Sequence, residues 1–265
     1  MSTSPVIIIT GASSGIGAAT ARLFGREGYR VVLAARRAER LQPLAQEIRG
    51  AGGDALPVRV DTTRLDQIQN LVTTTLDEFG QIDVLFNNAG FGRLGWLEEL
   101  DPVEDIERQI QTNVLGVIQT TRAVLPHMIQ QRSGHIINMS SISGLIVPST
   151  YSVYAASKFA IRGFTEGLRR DVAGMGIHVS GLYPGGVAGT EFGQHTGVES
   201  GTSFHTPKFL KLTAEKVADA VLRLDRHPRR MVVIPWPMLT VVWINILAPG
   251  LVDWGIVWRY TRRRL

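Results

Sequence analysis

The sequence predicts an α/β fold: a doubly wound sheet of seven mainly parallel strands flanked by helices, followed by a hydrophobic C-terminal extension. Three observations predict it. Strand-like apolar runs alternate with helix-like segments as far as residue 235. The first run is apolar throughout rather than at every second position, which is the pattern of a strand buried on both faces of a parallel sheet. A glycine-rich loop joins that strand directly to the first helix. Repeated βα units of this length close into a parallel sheet by right-handed crossovers.

The elements follow in order. Pro5–Thr10 is the first strand and Gly15–Glu27 the first helix. Tyr29–Ala35 is a second, mostly apolar strand, and Ala38–Ala51 is a helix stopped by Gly52 and Gly53. Ala55–Val60 is the third strand; Arg64–Phe79 is a helix closed by Gly80. Ile82–Phe86 is the fourth strand. Pro102–Gln131 is helical, with room for a break into two segments. Gly134–Met139 is the fifth strand, Tyr151–Met175 a long helix and Ile177–Tyr183 the sixth strand. Residues 184–212 show no period. Thr213–Asp225 is a helix begun by a capping threonine, and Met231–Ile234 is the seventh strand. No linker or shift in composition interrupts residues 1–235, which read as one domain; residues 236–265 form the extension.

Composition narrows the function. At 44% hydrophobic and 19% charged residues the chain is too apolar for disorder. Its formal charge of +5 is unevenly placed, with Arg259, Arg262, Arg263 and Arg264 close to the C-terminus. No basic stripe interleaved with aromatics points to nucleic acid. The absence of cysteine excludes disulfides, thiolate catalysis and cysteine metal sites. The six histidines form no HExxH pair, so no metal is expected, and no GxSxG elbow or Ser-His-Asp arrangement is signalled. The run Val6–Ile9 is too short for a signal h-region, so a cytoplasmic location is expected.

The first loop, Thr10-Gly-Ala-Ser-Ser-Gly-Ile-Gly17, suits a phosphate. Glycines let the backbone approach a pyrophosphate, and the helix N-terminus offers free N–H groups and partial positive charge. The spacing is GxxxGxG rather than GxGxxG. The second strand ends in Arg36-Arg37, where an acid would bind a ribose 2′-hydroxyl and an arginine accommodates a 2′-phosphate. No acid is there, so the reading is NADP(H), with Arg36 the reader and Arg37 facing water. Asp61, after the third strand, is placed to accept a bond from an adenine amino group or to begin the next helix. Asn87-Asn88-Ala89-Gly90 suits a close-packed wall beside the cofactor or a plain turn.

The chemistry concentrates in Tyr154-Ala-Ala-Ser-Lys158. Tyr and Lys four apart share one helix face, and an ammonium there favours the phenolate and lowers the tyrosine pKa toward a usable acid and base. Tyr151 has alanine in the corresponding place and reads as packing. The fifth strand runs into Ser140 and Ser141, either of which can donate to a carbonyl oxygen. Asn113 lies within a helical stretch, where its amide competes with backbone bonding. It either kinks the helix, holds a water chain toward Lys158, or faces solvent.

Together TGASSGIG at 10–17, NNAG at 87–90, Asn113, Ser141, YAASK at 154–158 and PGGV at 184–187 resemble a classical short-chain dehydrogenase/reductase over residues 5–235. The resemblance implies a Rossmann-type sheet of seven strands and a nicotinamide cofactor. Carried over by position, Ser141, Tyr154, Lys158 and Asn113 are catalytic. Gly11, Ser13, Ser14, Gly15, Ile16, Gly17, Arg36, Asp61, Asn88, Tyr154, Lys158 and Val187 face cofactor. Tyr154 would give a proton to a carbonyl oxygen as hydride arrives from NADPH, Lys158 would also hold the nicotinamide ribose, Ser141 would orient the carbonyl, and Asn113 would fix a water that resupplies the proton. A homo-oligomer is implied as well. The run Pro184–Thr190 carries one more residue than the family's PGxVxT, which leaves Thr190 outside the carried-over set.

The tail is the unusual part. Trp236, Trp243, Trp254 and Trp258 lie within it, and Met238–Trp258 carries a single charge, Asp253. Pro249-Gly250 breaks the run. Three explanations compete: packing over the pocket or against another subunit, peripheral membrane docking, and a true span, which needs about 20 unbroken apolar residues. The first two suit a lipophilic carbonyl substrate. Trp96, Phe192, His195 and Phe204 are candidate lining residues of the substrate pocket.

Overall fold

The computed structural model describes residues 4–191 and 211–261, with side chains as far as Gly255. Seven strands form one sheet in the order β3-β2-β1-β4-β5-β6-β7. They are β1 (Val6–Thr10), β2 (Arg30–Ala35), β3 (Asp54–Arg59), β4 (Val84–Asn87), β5 (Gly134–Met139), β6 (Ile177–Pro184) and β7 (Met231–Ile234). Every neighbouring pair is parallel. Ile8 pairs with Val32 on one side and Leu85 on the other. The chain order reverses between β1 and β4, so a crevice opens at the carboxyl ends of these strands.

The uniform apolar run of β1 has its reason in the core. Ile7 and Ile9 pack on one face with Val31, Leu33 and the helices α1 (Gly15–Arg26), α2 (Ala38–Gly50) and α7 (Ala214–Arg226). Val6 and Ile8 pack on the other face with Val32, Leu85 and the helices α3 (Leu65–Phe79), α5 (Gly116–Gln131) and α6 (Ser152–Asp171). Both faces are therefore apolar, and no alternation survives. Thr213 caps α7 by accepting from the Lys216 N–H at 3.3 Å, as its position before the helix predicts.

Two elements differ from expectation. The long helix stops at Asp171 rather than Met175, because Gly174 and Gly176 adopt φ of 81° and 77° and turn the chain into β6. The stretch Pro102–Gln131 does not break in two. It opens with a π-turn at Pro102–Glu107, and its α-helical segments, α4 (Arg108–Ile110) and α5, are joined through a second π-turn at Gln111–Leu115. The second π-turn carries Asn113.

After β7, helices α8 (Met238–Leu247) and α9 (Pro249–Thr261) run with a bend of 116° between them. Val242 is buried with Leu145, Tyr183 and Val233, and Met238 and Leu239 pack against the same group, so α8 is fastened to the sheet edge. Among the described residues no single helix is long and apolar enough to cross a membrane.

Candidate active site

The crevice is a cavity of about 1110 Å³, lined by the glycine loop, the ends of β2, β4, β5 and β6, the front of α6, and α8 and α9. The loop is drawn tightly against β4. Gly11 has φ of 68°, and a Cβ there would lie 2.9 Å from Ala89 Cα. A Cβ on Gly17 would lie 2.3 Å from the Gly11 carbonyl oxygen. Thr10 Oγ1 accepts from the backbone N–H of Asn88 and of Ala89, both at 3.0 Å. The Asn88 amide donates back to the carbonyls of Thr10 at 3.0 Å and Gly11 at 3.3 Å. Asn88 thus lines the cavity while it fixes the loop. Its neighbour Asn87 turns inward and belongs to a buried chain, donating to Thr121 Oγ1 and Asn138 Oδ1, each at 2.9 Å.

Gly11, Ser13, Ser14, Gly15 and Ile16 reach the cavity; Gly17 sits behind them. The first N–H groups of α1 have no intrahelical partner and open toward it. Ser14 stands at the N-cap but makes no cap bond with its side chain. Its hydroxyl accepts from Arg37 at 2.9 Å, and Ser13 accepts from the same guanidinium at 3.0 and 3.2 Å. Arg37 does not simply face water, as its place after Arg36 suggested: it also pairs with Glu191 at 2.9 Å. Glu191 pairs with Arg40 too, and the two cations hold its carboxyl down at about 2. Arg36 lines the cavity and is exposed, and its side chain makes no hydrogen bond or ion pair among the described residues. Asp61 lines it as well while closing a turn, accepting from the Thr63 N–H at 3.0 Å and the Thr63 hydroxyl at 2.8 Å.

At the other end of the cavity Ser141, Tyr154 and Lys158 meet, all three buried and all three lining it. Geometry separates the two serines. Ser140 donates its hydroxyl to the Lys158 carbonyl at 3.0 Å. Ser141 accepts from the Ser143 N–H at 3.1 Å and is hydrogen-bonded to the Tyr154 phenol at the cavity. Lys158 donates to the Met139 carbonyl at 3.1 Å, and its Nζ stands 5.7 Å from the centre of the Tyr154 ring.

The electrostatics differ from the expected lowering of the tyrosine pKa by its lysine. Burial pushes the Tyr154 phenol well above its ordinary value, and the hydrogen bond with Ser141 is what opposes it. Burial also brings the Lys158 ammonium down to about 8. Desolvation penalises both charged forms and outweighs the attraction between them.

Asn113 is fully buried, and its amide is committed. Oδ1 accepts from the Phe91 N–H at 3.0 Å; Nδ2 donates to the Phe91 carbonyl at 2.8 Å and to Ser157 Oγ at 3.2 Å. The π-turn widens the helix where this side chain reaches over to Gly90. A Cβ on Gly90 would lie 2.9 Å from Asn113 Oδ1 and 3.7 Å from Lys158 Nζ, so the three positions are packed together. Asn113 is behind the cavity wall rather than part of it.

Val187 and Thr190 both line the cavity. Val187 forms a parallel bridge with Leu212, and Thr190 lies against Gly15, whose Cβ would meet Thr190 Cγ2 at 3.4 Å. Trp96 is not among the lining residues; Phe91 and Leu94 take that side instead. Phe192, His195 and Phe204 fall outside the described residues. Tyr151 lines the cavity too, edge-on to Tyr154 with ring centres 6.3 Å apart, so it is more than packing. The residue that sequence reasoning missed is Glu191, while Val241, Ile244 and Leu251 of α8 and α9 line the cavity in keeping with one of the three explanations of the tail, packing over the pocket. Glu191 lies next to Thr190 in an aperiodic stretch and gave no signal.

A Ser-His-Asp chain does exist elsewhere, against expectation. His135 is 2.8 Å from Ser180 Oγ and 3.1 Å from Asp225 Oδ1, and Tyr29 donates to the same carboxylate at 2.6 Å. His135 and Ser180 are buried, Asp225 and Tyr29 are half-buried, and none of the four lines the cavity. It ties α7 to β5 and β6 as a satisfied polar cluster. Among the described residues no group of three or more His, Asp or Glu side chains is placed to hold a metal.

Known proteins resemble this chain in sequence and fold. Residues 5–199 match the short chain dehydrogenase family. An uncharacterized oxidoreductase of Staphylococcus saprophyticus is 40% identical over 193 residues, which cover 72% of this chain and 76% of that protein. A short chain dehydrogenase/reductase of Burkholderia phymatum, solved in complex with NAD, superposes with a TM-score of 0.83 at 29% identity, covering 94% of this chain and 95% of that one. A short-chain dehydrogenase of Sphingobium yanoikuyae, solved in complex with NADPH, gives 0.79 at 29% identity over the same shares. Kinship over nearly three quarters of the sequence, together with a common architecture, places this chain in the short-chain dehydrogenase family of oxidoreductases.

Proposed function

We propose that the protein is an NADP(H)-dependent oxidoreductase that interconverts a carbonyl with a primary or secondary alcohol on a lipophilic substrate. The observation that carries this reading is the meeting of Ser141, Tyr154 and Lys158 in the same cavity as the glycine loop. A module that only binds nucleotide has no use for a buried proton donor.

The residues present fit a nicotinamide dinucleotide. Gly11 and Gly17 leave space that a Cβ would fill, and the start of α1 presents N–H groups for a pyrophosphate. Asp61 lies where an adenine would be met. Arg36 and Arg37, with no acid at the end of β2, favour a 2′-phosphate over a 2′-hydroxyl. Glu191 then competes with that phosphate for Arg37 and Arg40. Lys158 is the candidate to hold the nicotinamide ribose, and Asn88 and Val187, which also line the cavity, are candidates to contact the cofactor. When bound, the cofactor supplies or accepts the hydride.

The chain's own residues do the rest. Ser141 directs its hydroxyl to the carbonyl oxygen and stabilises the negative charge that develops there. Tyr154 gives its proton to that oxygen in reduction and takes it back in alcohol oxidation. The raised phenol keeps its proton at neutral pH, which suits the acid of the reducing direction. Lys158, charged below about 8, stabilises the phenolate left behind. Asn113 holds Phe91 and Ser157, and so the wall beside Lys158; one lone pair of Oδ1 remains for a water that returns a proton. Apolar walls from Phe91, Leu94, Ile146, Val241 and Ile244 suit a greasy substrate.

A panel of aldehydes and ketones, from short to long-chain, assayed by NADPH absorbance with and without Tyr154→Phe, tests the reading. Turnover of long-chain members that falls by at least about 10²-fold in the variant, with cofactor fluorescence titration unchanged, is expected. Substantial residual activity would show that the proton comes from elsewhere.

A further inference from the structure

Helices α8 and α9 have too much apolar surface for the work they do in the fold. Only Val242 of α8 is buried, while Trp236 is 72% exposed, Trp243 59% and Leu247 79%. A helix that is apolar on every side needs apolar surroundings on every side, and the sheet edge supplies one of them. The exposed residues are also contiguous with the cavity: Val241, Ile244, Leu251 and Val252 of the same two helices form part of its wall.

We propose that α8 and α9 dock the protein on an anionic lipid surface, with the cavity mouth against the lipid. Charge decides the occupant. The stretch from Met238 to Trp258 carries one charge, Asp253, and the chain then continues through Arg259, Arg262, Arg263 and Arg264. Tryptophans beside an apolar stretch that ends in arginines match the depth profile of a membrane interface. Basic residues near such a surface are each attracted to anionic lipid. A second copy of the chain fits worse, since its identical sequence brings more arginines and no anion to match them. A span fits worse as well. The bend of 116° divides the apolar run into helices of 10 and 13 residues, each short of a span, and a bent pair lying in the interface keeps both.

The docked orientation gives the site its source of substrate. A carbonyl or alcohol dissolved in the lipid reaches Ser141 and Tyr154 between α8 and α9 without crossing water. This last step rests on the oxidoreductase reading; the docking itself does not.

The test is co-sedimentation of the full chain with phosphatidylglycerol vesicles and with phosphatidylcholine vesicles, at low and high salt. It is repeated for the variant Trp236→Glu/Trp243→Glu/Leu247→Glu, whose three positions lie outside the cavity lining. Thermal unfolding and NADPH titration check that the variant is folded. Expected are pelleting with the phosphatidylglycerol vesicles that salt weakens, and at least about tenfold weaker binding by the folded variant. Failure of the full chain to pellet, or equal pelleting of the variant, would overturn the proposal. So would a dimer in light scattering that the variant dissociates while vesicles bind neither protein. Reduction of soluble aldehydes with no vesicle binding would sink the docking alone. Vesicle binding with no turnover of any carbonyl would sink the enzyme reading and leave the docking standing.

Discussion

Glu191 lies 2.9 Å from Arg37, so a carboxylate from beyond β6 closes on the turn after β2, at the glycine-loop end of the cavity. Arg37 is at the same time bonded to Ser13 and Ser14 of the glycine loop. One guanidinium thereby joins three separate pieces of chain, and the anion it holds is an internal one.

Competition for that guanidinium gives the first prediction. Arg37→Ala removes a charge-assisted partner of about 1.5–3 kcal/mol and weakens NADPH roughly tenfold or more, with NADH affected less. Arg36→Ala, an exposed group without partners, weakens NADPH by a smaller factor in the same sense. Glu191→Gln removes the competitor. Partly exposed pairs are worth at most about 1 kcal/mol, so NADPH should tighten by up to about fivefold while NADH hardly moves. Fluorescence titration of both cofactors decides. Equal losses for the two in Arg37→Ala would mean that no 2′-phosphate is read there.

Glycines separate along the same line. A Cβ on Gly17 would intrude on the Gly11 carbonyl at 2.3 Å and on Asn88 Nδ2 at 2.8 Å. Gly17→Ala should therefore cost about 1–3 kcal/mol of stability and loosen NADPH, although Gly17 does not line the cavity. Gly163, exposed in α6, has nothing within 4 Å of its would-be Cβ. Gly163→Ala should stabilise by about 0.5–1 kcal/mol and leave cofactor affinity alone. Urea unfolding and cofactor titration of both variants distinguish a packed glycine from an idle one. A Gly17→Ala protein with wild-type stability and affinity would refute the packing argument.

These contrasts mark what the sequence makes legible. The sheet was readable because a strand buried on both faces leaves an unbroken apolar run, as in Val6–Ile9, and because loop, strand and helix chemistry agree around Gly11–Gly17. Tyr154 and Lys158 were readable because helical spacing fixes their shared face. The choice between Ser140 and Ser141 turns on where a single hydroxyl points, and adjacent residues at a strand end do not reveal it. Arg37 and Glu191 meet across about 150 positions, and their pairing follows from the packed loop alone. The pH behaviour is not legible in the sequence for a related reason: spacing shows that an ammonium neighbours a phenol but says nothing of burial, and burial dominates both groups.

That burial yields the last prediction. Lys158 falls from an ordinary 10.5 to about 8, because the folded protein disfavours its charge. Between these values the unfolded chain binds a proton that the folded one has released, so this group makes stability rise with pH from about 8 to 10.5. Below about 8 the full cost of the buried ammonium is present, on the order of 3 kcal/mol for a shift of this size; above 10.5 it is gone. Lys158→Met replaces the ammonium with an apolar chain. It should narrow or reverse the difference expected from losing the bond to the Met139 carbonyl, and be relatively most stable below pH 8. The comparison with wild type removes the opposite pull of Tyr183, whose phenol burial raises to about 12 and whose contribution is lost above pH 10. Activity should move the other way. Tyr154 keeps its proton through this window, so carbonyl reduction in the wild type should decline as Lys158 discharges near pH 8, and Lys158→Met should be slow throughout and lack that limb. Urea unfolding of both proteins at several pH values, together with the pH profile of reduction, provides the check. A stability difference that stays constant from pH 7 to 10 would show that the Lys158 proton is not held as its burial requires.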